Sequence, residues 1–188
     1  MCVYKERTLA KKTAIIPAQV RKKIEFIKAN EQTLTINYAS IILVDICGVL
    51  LGLRRSEFLA SAKKKPNHTT LLCFRNWACL KWDIGDCTKA LDISQWSSGI
   101  TSDEIIRISL CYTKHNRHRM VHEVIAGLGY KLMSFALWLK IVIRLRVALG
   151  EYITINSPLL VRENCGTLVI MAGDYMRRMD LIYATKLR

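Results

Sequence analysis

The chain has no C-x-x-C pair, no G-x-x-x-x-G-K-S/T loop and no G-x-S-x-G elbow. The first absence removes zinc ribbons and thioredoxin-like redox chemistry. The other two leave no support for a phosphate-cradling nucleotide enzyme or a conventional serine hydrolase. The seven cysteines (Cys2, Cys47, Cys73, Cys79, Cys87, Cys111 and Cys165) are scattered and odd in number, which reads as reduced thiols in an intracellular protein. Asn67-His68-Thr69 has the glycosylation pattern but, with no secretion signal, is only a loop tripeptide. His115, His118 and His122 lie near a turn with neither a carboxylate nor a cysteine pair, so they read as a polar turn and no metal or other cofactor is implied. Acid is scarce: 15 Asp and Glu face 29 Lys and Arg, for a net charge of +14. Basic residues outnumber acidic ones in both halves, so the expectation is a broad basic face and an anionic partner. No membrane span is expected. Ile41 to Leu53 is too short against the roughly 20 residues a span needs, and Leu132 to Leu149 carries Lys140, Arg144 and Arg146.

Half of the 188 residues are hydrophobic, enough for one domain with a core. Residues 1–12 read as a basic leader or linker remnant, and 13–188 as the domain. Pro17 suits a first helical position, and Val20, Ile24 and Ile27 recur at helical spacing, with Arg21, Lys22, Lys23 and Lys28 on faces toward solvent or phosphate. Asn30 is the expected cap of a second helix from Glu31 to about Leu51, buried on most sides and apolar except for Asp45. Gly48 and Gly52 either allow a close backbone approach or end that helix. A shorter helix is expected from Arg54 to Ala62, then a turn at Lys63-Lys64-Lys65-Pro66. Strand-like composition follows at Leu71 to Ile84. An irregular stretch covers 88–103, and alternation predicts a strand at Ile105 to Tyr112. His115 to Arg119 is the expected hairpin tip, Met120 to Val124 the return strand, and Tyr130 to Leu149 a long helix. A proline turn at Ser157-Pro158 and a weaker helix near Asp174 to Ala184 complete the chain. Helices, a small antiparallel three-stranded sheet, then helices again read as α+β, mainly helical.

Gly52-Leu53-Arg54-Arg55-Ser56-Glu57 stands where the apolar run stops. A guanidinium offers a planar fork that matches two oxygens of a phosphate, so an arginine pair there asks for an anion. The motif, Leu53 to Leu59, Trp82 to Ile84 and a basic hairpin with Thr113-Lys114 resemble the catalytic domain of tyrosine recombinases of the phage-integrase type, in their Crypton-like eukaryotic branch. By that resemblance Arg54 matches the first catalytic arginine, Glu57 the acidic residue that supports it, and Lys114 the sheet lysine; Arg55 falls at a variable position. In the family a tyrosine attacks the scissile phosphate, arginines and a histidine stabilise the phosphoryl charge, and the lysine protonates the leaving 5′ oxygen. DNA is the implied partner, with a homo-oligomer assembled on it. Arg55, Lys63, Lys64, Lys65, Arg117 and Arg119 are further DNA-contact candidates.

The resemblance is partial. No histidine has an arginine three residues later, and neither Tyr175 nor Tyr183 follows such a motif. The expectation is therefore an incomplete recombinase-like domain that binds DNA, is inactive in cleavage alone, and is nuclear if eukaryotic. Alternatives stay open from the residues themselves: Arg54 and Arg55 as surface arginines starting a helix, Glu57 pairing locally, and the Lys114 hairpin as a solvated tip. A non-catalytic basic nucleic-acid-binding protein is the second reading, and a basic peripheral membrane protein the third.

Overall fold

The computed structural model describes residues 17–30, 34–50, 52, 54–55, 59, 77–79, 106–110, 122–126, 133–154 and 156–186. It is mainly helical with small antiparallel sheets, an α+β arrangement.

Helix α1 (Pro17–Asn30) opens on its proline, whose fixed φ suits the first turn. Val20, Ile24 and Ile27 form its buried stripe, while Arg21, Lys22 and Lys28 are exposed. Lys23 departs from expectation: it is buried, for reasons given below. Helix α2 (Ile36–Leu50) begins five residues later than Glu31. Asn30 ends α1 instead of capping α2. Thr35 does the capping, its Oγ1 accepting from Tyr38 N–H at 3.4 Å. Ile41 to Cys47 are buried without interruption, so α2 is wrapped on all sides as a central helix must be. It packs against α1, α3 and β4. Past its end Gly52 takes φ +63°, the left-handed turn expected of a glycine that stops a helix.

Helix α3 (Phe135–Ala148) starts five residues after Tyr130, because Ser134 Oγ accepts from Leu137 N–H and sets the cap. Phe135 to Leu139 and Ile141 to Ile143 are buried against α2. Its C-terminus closes in a Schellman arrangement: Gly150 N–H donates to Val147 O at 2.9 Å and Glu151 N–H to Arg146 O at 3.0 Å.

Strands β1 (Trp77–Cys79), β2 (Ile106–Leu110) and β3 (His122–Ala126) pair antiparallel in that order. Strand β3 runs past the expected end at Val124, since Ile106 pairs with Ala126. A second hairpin was not expected from the sequence: β4 (Val161–Asn164) and β5 (Thr167–Ile170) pair with Val161 opposite Ile170. Cys165 and Gly166 join them, both at positive φ (50° and 79°), as a two-residue type I′ turn requires. Asn37 of α2 fixes β4 at two points, its Nδ2 donating to Glu163 O and its Oδ1 accepting from Glu163 N–H at 2.7 Å. Helix α4 (Gly173–Lys186) turns Met176 and Tyr183 into the core. The Tyr183 ring meets Phe26 of α1 edge to face, with centroids 6.1 Å apart.

Candidate functional site around the arginine pair

The arginine pair divides between two environments. Arg54 is exposed, whereas Arg55, whose carbonyl accepts from Leu59 N–H at 2.8 Å, points inward. Its guanidinium meets two carboxylates. Arg55 Nη2 donates to Asp45 Oδ1 at 2.7 Å and to Asp180 Oδ1 at 3.3 Å, and Arg55 Nη1 bonds Asp180 Oδ2. Lys23 completes the set, with Nζ 2.6 Å from Asp45 Oδ2 and 3.0 Å from Asp180 Oδ1. Two cations and two anions thus alternate in a closed ring drawn from α1, α2, the segment after Gly52 and α4. The Lys23 ammonium also lies 5.2 Å from the Tyr183 ring centroid, a cation–π contact on its remaining side.

Burial explains why the ring closes. Asp45 has no solvent exposure, and an isolated carboxylate there would carry a desolvation cost of several kcal/mol. Pairing it on both oxygens answers that cost, and the same logic draws the Lys23 ammonium in from the surface it was expected to occupy. At Asp180, burial acts to raise the pKa, but hydrogen bonding by Arg55 and the charges of Lys23 and Arg55 outweigh it, leaving the carboxyl below its ordinary range. At Arg55, burial acts to lower the pKa, and the two carboxylates more than reverse it. Nearby, burial first and Asp45 second push the Cys47 thiol far up, so it stays a neutral core group.

A neutral ring in which each carboxylate holds two cations is poorly suited to proton transfer. Its chemistry is anchoring. It ties α4 to α1 and α2 and fixes the backbone that carries Arg54. The Nη donors of Arg55, a DNA-contact candidate by sequence, are turned to carboxylates in this arrangement. Glu57, Lys63, Lys64, Lys65, Lys114, Arg117 and Arg119 lie outside the described residues, so the structure does not bring them to Arg54 or away from it. Lys23, Asp45 and Asp180 are the residues the sequence reading passed over. The available signal was Asp45 itself, a lone acid in an apolar helix, which needs a buried cation.

A second buried charge sits at the end of α3. Arg146 is fully buried, and it grips Glu151 through Nε and Nη2 at 2.5 and 2.6 Å and the Pro158 carbonyl through Nη1 at 2.7 Å. This fork holds the loop from α3 to β4 and is structural. No group of histidine, cysteine and acidic residues that could hold a metal occurs among the described residues, nor does any helix long and apolar enough to cross a membrane. No protein-family model matches the chain, and neither does any curated protein or solved structure.

Proposed function

We propose that this chain is a DNA-binding domain derived from a tyrosine recombinase. The observation that carries the reading is the split of the arginine pair. Arg55 is bolted to Asp45 and Asp180 while its neighbour Arg54 is held at the surface two residues after the left-handed Gly52. A phosphate-binding arginine gains from such a rigid support, because less side-chain and backbone freedom is lost when the anion arrives. The order of helices, Gly-Leu-Arg-Arg-Ser-Glu, antiparallel strands β1 to β3 and then helices runs parallel to the recombinase domain. The net charge of +14 supplies the general attraction to DNA.

In this reading Arg54 clamps a backbone phosphate, Glu57 supports it, and Lys114 approaches the leaving oxygen from the β2–β3 connection. Lys63, Lys64, Lys65, Arg117 and Arg119 add contacts to the DNA backbone, a second copy of the chain assembles on the same DNA, and the site of action is intracellular, nuclear in a eukaryote. With no His-x-x-Arg and no tyrosine after one, the chain forms no covalent DNA adduct by itself.

The test is duplex binding across a salt series for the native chain, Arg54→Ala and Lys114→Ala together, and Arg55→Ala. The Arg54/Lys114 double variant should bind less tightly with a shallower salt dependence at unchanged melting temperature, and Arg55→Ala should lower the melting temperature. Binding unaffected by the double variant favours the second reading, a generic basic nucleic-acid-binding protein. Tighter binding to anionic vesicles than to DNA at matched salt would defeat both.

A further inference from the structure

Away from the arginine pair, β4 and α4 bring two more arginines to one tyrosine. Arg162 of β4 stacks on Tyr175 in the first turn of α4, its guanidinium carbon 4.7 Å from the ring centroid. Arg162 Nη1 donates to Asn164 Oδ1 at 3.1 Å, two residues along the same face of the strand. Its Nε is buried and has no hydrogen-bond acceptor among the described residues. Arg178 lies one helical turn beyond Tyr175, on the same face of α4, and is exposed. Its neighbour Arg177 pairs with Asp174, but Arg178 has no carboxylate partner among the described residues. Glu163 falls on the opposite face of β4, its backbone occupied by Asn37.

We propose that Arg162, Tyr175 and Arg178 form a second phosphate site, which takes a backbone phosphodiester of nucleic acid. The inference rests on the DNA-binding reading above and adds a contact point to it. The chemistry follows from the three groups. A guanidinium stacked on an aromatic ring and bonded to Asn164 is held in one plane, so its donors are presented with little further loss of freedom. A second guanidinium, that of exposed Arg178 on the same face, makes no ion pair among the described residues, the nearby Asp174 being paired with Arg177. The phenol hydroxyl can donate to an oxygen held by either. Both charges reach that hydroxyl: burial raises the Tyr175 pKa, and Arg162 and Arg178 act to lower it without fully reversing the rise. An anion placed between the arginines relieves their mutual repulsion and gains charge-assisted hydrogen bonds. Nucleic acid is favoured over a lipid headgroup because the basic excess runs through both halves of the chain. Leu181 and Ile182, exposed farther along α4, give the lipid surface its claim as the competing outcome.

Arg178→Gln, Arg162→Lys and Arg54→Ala are compared with the native chain for binding to a duplex oligonucleotide across salt, and to phosphatidylserine/phosphatidylcholine vesicles at matched salt. Arg178→Gln is expected to weaken duplex binding by about 3- to 10-fold near 0.1 M salt and to lower the log–log salt slope by about one. Arg162→Lys keeps the charge but not the stacked fork, so it should weaken binding while leaving the slope nearly unchanged. Arg178 is exposed, so its variant should melt like the native chain. If both variants bind duplex like the native chain while Arg54→Ala weakens it, the second site is refuted and the DNA reading stands. If they weaken binding and Arg54→Ala does not, the site stands and the role of Arg54 falls. Vesicle binding that depends on Arg162 and Arg178, without duplex binding, overturns both proposals.

Discussion

Replacing Asp45 by alanine should destabilise the protein by about 3–5 kcal/mol, the usual cost of breaking a buried ion pair from one side. The carboxylate is fully buried and takes Lys23 at 2.6 Å and Arg55 at 2.7 Å. Two unit charges about 4 Å apart attract by about 4 kcal/mol at an effective dielectric near 20, and desolvation offsets part of that. Removal of the anion alone leaves a buried ammonium beside a guanidinium, with only Asp180 between them. Domain stabilities run to about 5–15 kcal/mol, so the loss is a large fraction of the total. In urea, at a slope of about 2 kcal/mol per molar, the midpoint should fall by about 1.5–2.5 M. Asp180→Ala should cost only about 1 kcal/mol, because its side chain is 36% exposed and water can replace part of what it gives. Adding Lys23→Met to Asp45→Leu removes one charge of each sign and leaves Arg55 with Asp180. That pair of changes should recover at least about 1.5 kcal/mol of the loss caused by Asp45→Leu alone. Urea unfolding followed by circular dichroism measures all four variants. A loss under about 1 kcal/mol for Asp45→Ala, or equal losses at positions 45 and 180, would refute the ring as the anchor of these helices.

Arg146→Ala should cost about 3–5 kcal/mol in the same assay, since it leaves Glu151 and two carbonyls without their donor. Arg146→Lys should still lose about 2 kcal/mol, because an ammonium cannot span the same fork. Cys165→Asn should raise stability by about 0.5–1 kcal/mol, read as a higher melting temperature. Asparagine tolerates the left-handed conformation that Cys165 holds at φ 50°, and it suits the first position of this turn. Acid should loosen the ring through Asp180: a carboxylate whose pKa is lowered on folding contributes stability that is present above its unfolded value of 3.8 and is lost as pH falls through the folded value. Urea midpoints should therefore drop below about pH 4, and Asp180→Asn should flatten that acid limb.

Much of the helical framework was legible because its cause is local. Pro17 with the Val20, Ile24, Ile27 stripe specifies α1 within one segment, and the apolar content of Ile41 to Cys47, interrupted only by Asp45, specifies a helix buried all round. Starts of helices were less legible. Asn30 and Thr35 are both acceptable caps, and the choice depends on where α1 stops. The β4–β5 hairpin escaped because its strands are four residues each and carry Arg162, Glu163 and Asn164, too short and polar for alternation to stand out. The clue was at the turn, where Gly166 sits between two short runs.

The site was half legible for a different reason. Gly52-Leu53-Arg54-Arg55 announces that two guanidiniums need anions, but sequence spacing does not say which anions. The sequence turned both arginines outward: the resemblance matched Arg54 to the scissile phosphate, and Arg55, at a variable position of the family, was a further DNA-contact candidate. The structure gives Arg55 internal carboxylates from residues 10 and 125 positions away. Such long-range pairing is invisible to any local pattern, and it follows from burial: a carboxylate in the middle of α2 is costly to desolvate without a counter-ion, and among the described residues Lys23 and Arg55 supply it. Asp180 then binds both cations and brings α4 with it. An adjacent arginine pair is therefore not two copies of one function. The inward member is selected by the core's need for a counter-ion, and the outward member inherits a rigid mount, so substitution at Arg55 should act on stability and substitution at Arg54 on binding.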